Sequence, residues 1–202
     1  LYSHGPGGSA TGFADGNTGL EVASMLANAG AIGIGISLPF HGDRGLGVDP
    51  SLISFNYFNA TAGRSNFRQA ALEQIWIIET LFDNTHHFWG SSETEDVAID
   101  IHSNPNALAY MGHSHGAEIG IIAAPFLGNR TRGIVLSGGG GGLSISAVHR
   151  SADDYPIQEL LRDTFEFLPD EELDEFHPVI GMVQFVAEAT DPINYGPYWH
   201  HW

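Results

Sequence analysis

One uninterrupted passage limits the fold of this chain more than any other: "NALAYMGHSHGAEIGIIAAPFL", residues 106 to 127. Its first part, with Pro105 just ahead, is a short apolar run ending at Met111 that reads as a strand. From about Gly116 the apolar residues continue as a helix. Between them stands Gly112-His113-Ser114-His115-Gly116, which fits G-x-S-x-G. That pattern carries meaning only where a strand precedes it and a helix follows, and both flanks comply. On so sharp a turn, bulk two positions before or after the serine would strike the neighbouring strand and helix. The two glycines therefore have a physical purpose. The Ser114 hydroxyl is expected at the carboxyl end of a sheet, where open α/β folds bind ligands, with a helix N-terminus adding positive potential.

The rest of the chain alternates in the same way. "LYSHG" reads as the tail of a strand running into a Gly-rich loop. Val22, Met25, Leu26 and Ala29 give residues 19–29 a helical spacing, with Gly30 as the stop. "AIGIGISLPFHG" reads as a buried parallel strand closed by Pro39 and Gly42, its Gly33 and Gly35 allowing close approach. From Asn66 to Phe82 a helix is predicted, with Phe67, Ala70, Ala71, Gln74, Ile78 and Leu81 on one face. "TRGIVLSG" reads as a further buried strand. Strand and helix in this order imply a parallel sheet covered on both faces.

After Gly142 the character changes. Asp153 to Glu175 holds many carboxylates and one arginine, Arg162, interleaved with Leu160, Leu161, Phe165, Phe167 and Leu168. Amphipathic helices with an acidic outer face are expected there. Pro169 separates two of them, and Pro178 opens a third running to Ala189. The region reads as a helical insertion after the strand that ends near Ser137.

Charge narrows the partners. There are 24 acidic residues against 7 basic ones, all arginine, for a net charge of −17. Nucleic-acid phosphates and anionic membranes would be repelled, whereas high solubility, in salty water or outside the cell, fits. No apolar run is long enough to cross a bilayer. Cysteine is absent, which excludes disulfides and thiolate metal sites. The chain opens without Met and as if inside an element, so any targeting segment is expected to lie upstream, and a secreted or cell-surface location is slightly favoured.

Four stretches together resemble the α/β-hydrolase family, of the bacterial serine esterase or lipase-like kind. "SHGPGG" at 3–8 is similar to the His-Gly loop after that family's third strand. "GISLPFHGDRG" at 35–45 is similar to the stretch after its fourth strand, with Ser37 where Asp is common. "GHSHG" matches its nucleophile elbow, and "ATDPINYGPYW" is similar to a segment following the lid helices in some members. The resemblance implies hydrolysis of a carboxylic ester, or a lipid-like one, through an acyl-serine intermediate. It implies one partial domain over 1–202, with a sheet core over 1–142 and a lid-like part over 143–202. Ser114 would be the nucleophile. The oxyanion would be held by the backbone N–H of His115 and by another from the loop after His4-Gly5. Pro6 has no N–H, so Gly7 is favoured. The two loops must then meet in space.

Other histidines read as structural. His113 and His115 point away from the Ser114 hydroxyl on a tight turn, and His4 supports its loop. His86-His87 and His200-His201 lack the spacing of a metal site, and "GIGIGIS" has its glycines inside the strand, so no metal or cofactor is expected. Gly138 to Gly142 reads as a close-packed or flexible turn. The family's acid and histidine after the nucleophile are missing. Asp191 with His200 or His201 has the right order but no strand and helix between. The expectation is a fragment truncated at both ends, itself inactive and poorly soluble. Two functions stay open: a serine hydrolase, or a non-catalytic member of the fold binding an apolar ligand or a protein partner.

Overall fold

The computed structural model of the chain describes residues 1–83, 85–91, 96–102, 104, 108–149, 157–168 and 170–201. Four strands, β1 (Tyr2–Ser3), β2 (Gly35–Ile36), β5 (Ala109–His113) and β6 (Gly133–Ser137), form one sheet. Its order is β2-β1-β5-β6 and every pairing is parallel. The chain leaves β1 through α1 (Gly16–Asn28) to reach β2 on one side. It later enters β5 on the other side of β1 and moves outward through α4 (His115–Leu127) to β6. Strand order therefore reverses between β1 and β5. In open α/β sheets the crevice beyond such a reversal is where ligands bind.

The predicted helix over 66–82 is the middle of α3 (Ala60–Asp83). Its apolar face is the one the spacing marks: Phe67, Ala70, Ala71, Gln74, Ile78 and Leu81 are all buried. Phe67, Ala70 and Ala71 pack with Ile119, Ile122 and Ala123 of α4. Ile78 meets Tyr110 and Leu127, with Ile134 and Leu136 against them. The α3 and α4 layer thus covers the face of the sheet that carries Tyr110, Ile134 and Leu136.

The other face differs from expectation. Met111 and Val135 are register partners and stand 43% and 59% exposed. So β6 is not a buried strand, and described residues cover β5–β6 on one side only. The run at 31–42 contributes only Gly35 and Ile36 to the sheet, and Ile32 is exposed. A Cβ on Gly35 would lie 1.8 Å from the Ala10 carbonyl oxygen, and one on Gly33 2.2 Å from the Phe13 ring. The loop around 10–13 crosses this strand and leaves β2 short. Helix α1 forms, but Met25 on its supposed inner face is exposed.

A two-stranded antiparallel sheet, β3 (Thr85–Ser91) with β4 (Asp96–His102), is separate from the main one. Beyond it, α2 (Pro50–Phe55) precedes α3, and α5 (Leu143–His149), α6 (Ile157–Thr164) and α7 (Pro178–Ala187) follow β6. Val148, Leu161, Leu173 and Ile180 give this last region a small core of its own. Residues 170–177 are turns and bends, not the expected second helix. The break expected at Pro169 lies outside the described residues. Two carboxylates of the acidic run are engaged instead of merely solvated: Glu175 with His149 at 2.8 Å, and Glu171 with His177 at 2.9 Å. No helix among the described residues is long and apolar enough to cross a membrane.

Candidate active site at the Ser114 turn

Ser114 stands between β5 and α4 with φ 51° and ψ −118°. A residue with a Cβ rarely adopts such angles; they cost roughly 1–3 kcal/mol and persist only where neighbours enforce them. Three hydrogen bonds do so. The Ser114 N–H donates to the Ser137 carbonyl at 2.7 Å, and its own carbonyl accepts from Ala117 N–H at 2.8 Å and Glu118 N–H at 3.1 Å. Tyr110, buried in the preceding strand, donates its hydroxyl to the Gly116 carbonyl at 2.8 Å. Strand and helix are thus tied across the turn.

The flanking glycines are sterically required. A Cβ on Gly112 would lie 2.4 Å from the Gly116 oxygen, and one on Gly116 2.2 Å from the Ser3 oxygen. This close approach lets β1 pair beside β5, with Ser3 opposite Gly112. It also brings the "SHGPGG" loop to the turn. A Cβ on Gly5 would sit 3.1 Å from Ser114 Cβ and 3.3 Å from His113 Cδ2. The two loops meet, as the sequence requires.

Gly5 to Gly8 form a turn closed by Gly8 N–H donating to the Gly5 carbonyl at 3.1 Å. Pro6 in second place and Gly7 at φ 74° in third are the type II pattern. Gly8 N–H is consumed by the turn and Pro6 has none. Among the described residues no backbone carbonyl accepts from Gly7 N–H. His115 opens α4, and the first N–H groups of a helix have no partner within it. His115 directly follows Ser114, and of the loop it is Gly5 that lies against Ser114, with Gly7 two residues further along.

The histidines hold the loops. His4 is buried, donates from Nδ1 to the Gly5 carbonyl at 2.7 Å and accepts Leu38 N–H on Nε2 at 3.0 Å, which fixes its tautomer. Burial, foremost, lowers its pKa. His41, wholly buried, donates from Nδ1 to the Pro39 carbonyl at 2.9 Å, and burial chiefly pushes its pKa down to about 4. His115 packs its ring 4.8 Å from Phe55 and 4.7 Å from Phe67, and its Nδ1 lies 3.2 Å from a Glu118 oxygen. His113 is exposed. The side chains of His86, His87, His200 and His201 lie outside the described residues. Among the described residues no cluster of side chains fits a metal ion, and none hydrogen-bonds the Ser114 hydroxyl.

Ser114 opens onto a cleft of about 360 Å³. Phe55, Tyr57, Glu118, Leu143 and Ala147 line it, together with Gly138, Gly139 and Gly140. The glycine run is thus a wall of the cleft, not only a turn. A Cβ on Gly139 would lie 2.8 Å from Ala117 Cβ, so the run packs close over the start of α4. No protein-family model, curated protein or solved structure matches the chain.

Asp191, which follows Ser114 in the right order but has no strand and helix between it and His200 or His201, has a structural role. Its side chain is fully buried and both oxygens accept: Oδ1 from Gly142 N–H at 2.8 Å and Ile193 N–H at 3.1 Å, Oδ2 from Leu143 N–H at 2.8 Å and Gln184 Nε2 at 2.6 Å. Asp191 caps α5 and anchors the glycine run to the C-terminal segment. A carboxylate so occupied acts as a clamp, and its described partners are three backbone N–H groups and one amide. Glu118 was not singled out from the sequence; its position four after the serine is the signal that could have found it.

Proposed function

We propose that this chain is the core of a serine hydrolase acting on carboxylic esters, with Ser114 as nucleophile. What carries the reading is the backbone of Ser114: a strained residue held at φ 51° between a parallel strand and a helix, at the crevice where strand order reverses. Ser114 Oγ forms a bond to the acyl carbon, and the carbonyl electron pair moves onto oxygen. The oxyanion accepts the N–H groups of His115 and Gly7. Its collapse breaks the bond to the alcohol, which leaves with a proton. Water then releases the acid and restores Ser114.

The proton of Ser114 Oγ needs an acceptor, and the described histidines are engaged in holding loops, exposed, or paired with glutamates. With no base for Ser114 among the described residues, acylation by activated esters is expected at the residual rate that oxyanion binding supplies, orders of magnitude below an intact triad. The helices after Gly142 support a covering role, since Leu143 and Ala147 line the cleft. The test is single-turnover acylation by a p-nitrophenyl ester, read by intact mass. A Ser114→Ala variant must lose the adduct; an adduct retained in that variant removes Ser114 as nucleophile.

One observation favours a second reading. A serine hydroxyl without a described base, in a cleft walled by Phe55, Tyr57, Leu143 and Ala147, also suits a non-catalytic pocket for an apolar ligand. Slow, saturable acylation at Ser114 separates the two, because a mere pocket has no cause to activate one serine.

A further inference from the structure

We infer that the Ser114 cleft selects esters carrying a compact organic cation, held by the Glu118 carboxylate beside the rings of Phe55 and Tyr57. This rests on the reading of Ser114 as nucleophile and names its substrate class.

Glu118 lies one helical turn after Ser114: its N–H donates to the Ser114 carbonyl. Both residues line the same cleft. The Glu118 side chain is only 16% exposed, and its described partner is His115 Nδ1. A carboxylate lining the cleft that also holds Ser114 opposes an oxyanion formed there. A cation in the bound ester turns the penalty into attraction. Without one, Glu118 weakens the chemistry proposed for its neighbour.

The walls agree. The Phe55 and Tyr57 rings are stacked, 5.8 Å apart and 13° from parallel, and both line the cleft. Aromatic faces attract organic cations, most strongly where water is displaced. No arginine or histidine side chain is among the described lining. Arg64 lines a separate cavity of about 20 Å³ that shares Phe55 and Tyr57. The net charge of −17 adds a field that draws cations in and keeps anions out.

The test compares acylation of Ser114 by a choline thioester and by its neutral isostere, the 3,3-dimethylbutyl thioester of the same acid. Rates are read by intact mass in single turnover, so deacylation is not needed. The wild-type chain is expected to prefer the cation by about tenfold, less at high salt. Glu118→Gln is expected to bring the ratio toward one. Tetramethylammonium should also slow wild-type acylation by the neutral thioester while neopentyl alcohol does not, a result that needs no variant to fold. Equal rates for the two esters, or a preference that survives Glu118→Gln, overturn the inference and leave the nucleophile intact. No Ser114 adduct from either ester, nor from a serine-directed sulfonyl fluoride, overturns both.

Discussion

The amide of Ser114 donates to the carbonyl of Ser137 across 2.7 Å, joining the turn after β5 to the end of β6. Ser137 is also the residue before the glycine run that walls the cleft. The same bond that helps hold Ser114 at a positive φ thus fixes where that wall begins.

Ser114 should therefore be a site where stability and reactivity are opposed. Ser114→Gly relieves the positive φ and is expected to raise stability by about 1 kcal/mol, whereas Ser114→Ala keeps the Cβ and stays within about 0.5 kcal/mol of the wild type. Urea unfolding of the three proteins checks this. A Ser114→Gly variant less stable than Ser114→Ala would mean the backbone there is not strained.

Gly112 and Gly116 are expected to tolerate no side chain. Alanine at either places Cβ within 2.5 Å of backbone, which only a backbone shift can relieve. Loss of about 3 kcal/mol or more, or failure to fold, is expected for each. Gly133→Ala is the control, since nothing lies within 4 Å of a Cβ there. A well-folded Gly116→Ala protein would show that β1 does not pack against the turn.

Asp191 should matter more to stability than its distance along the chain from Ser114 suggests. Asp191→Ala strands the N–H donors of Gly142 and Leu143, each worth roughly 1–3 kcal/mol when left unpaired, while Gln184 Nε2 keeps Glu188. Asp191→Asn keeps one acceptor and is expected to lose less. Denaturation midpoints order the series as wild type, Asn, Ala. Equal midpoints for the wild type and Asp191→Ala would remove the clamp.

His41 makes stability depend on pH in a defined direction. Its folded pKa of about 4 lies below the usual 6.5. The unfolded chain therefore binds the proton first, and stability is lost as pH falls from 6.5 toward 4. A shift of this size corresponds to on the order of 3 kcal/mol. His41→Gln should flatten that part of the profile measured by denaturant midpoint against pH. An unchanged slope would place the acid sensitivity elsewhere, with His4 the next group to replace.

How much of this was legible follows from where the physics is local. The α3 face was readable because six positions repeat at helical spacing and all six are buried. The Ser114 turn was readable because two glycines flank one serine between a strand and a helix, and each is sterically required. The exposure of Met111 and Val135 was not, because an apolar run reads alike whether one face or both are covered. The β3–β4 hairpin left one signal, the alternation of Val97, Ile99 and Ile101, which a search for helices and parallel strands passes over. The clamp at Asp191 was illegible in principle: its partners at 142 and 143 are brought to it only by the folded chain.

The most direct measurement is reaction of the chain with a serine-directed sulfonyl fluoride, followed by intact mass and peptide mapping. A strained Ser114 at the start of α4 should take up a single adduct at Ser114, time-dependent and absent from Ser114→Ala. Adducts scattered over several serines, or one at a serine other than Ser114, would contradict its role as nucleophile.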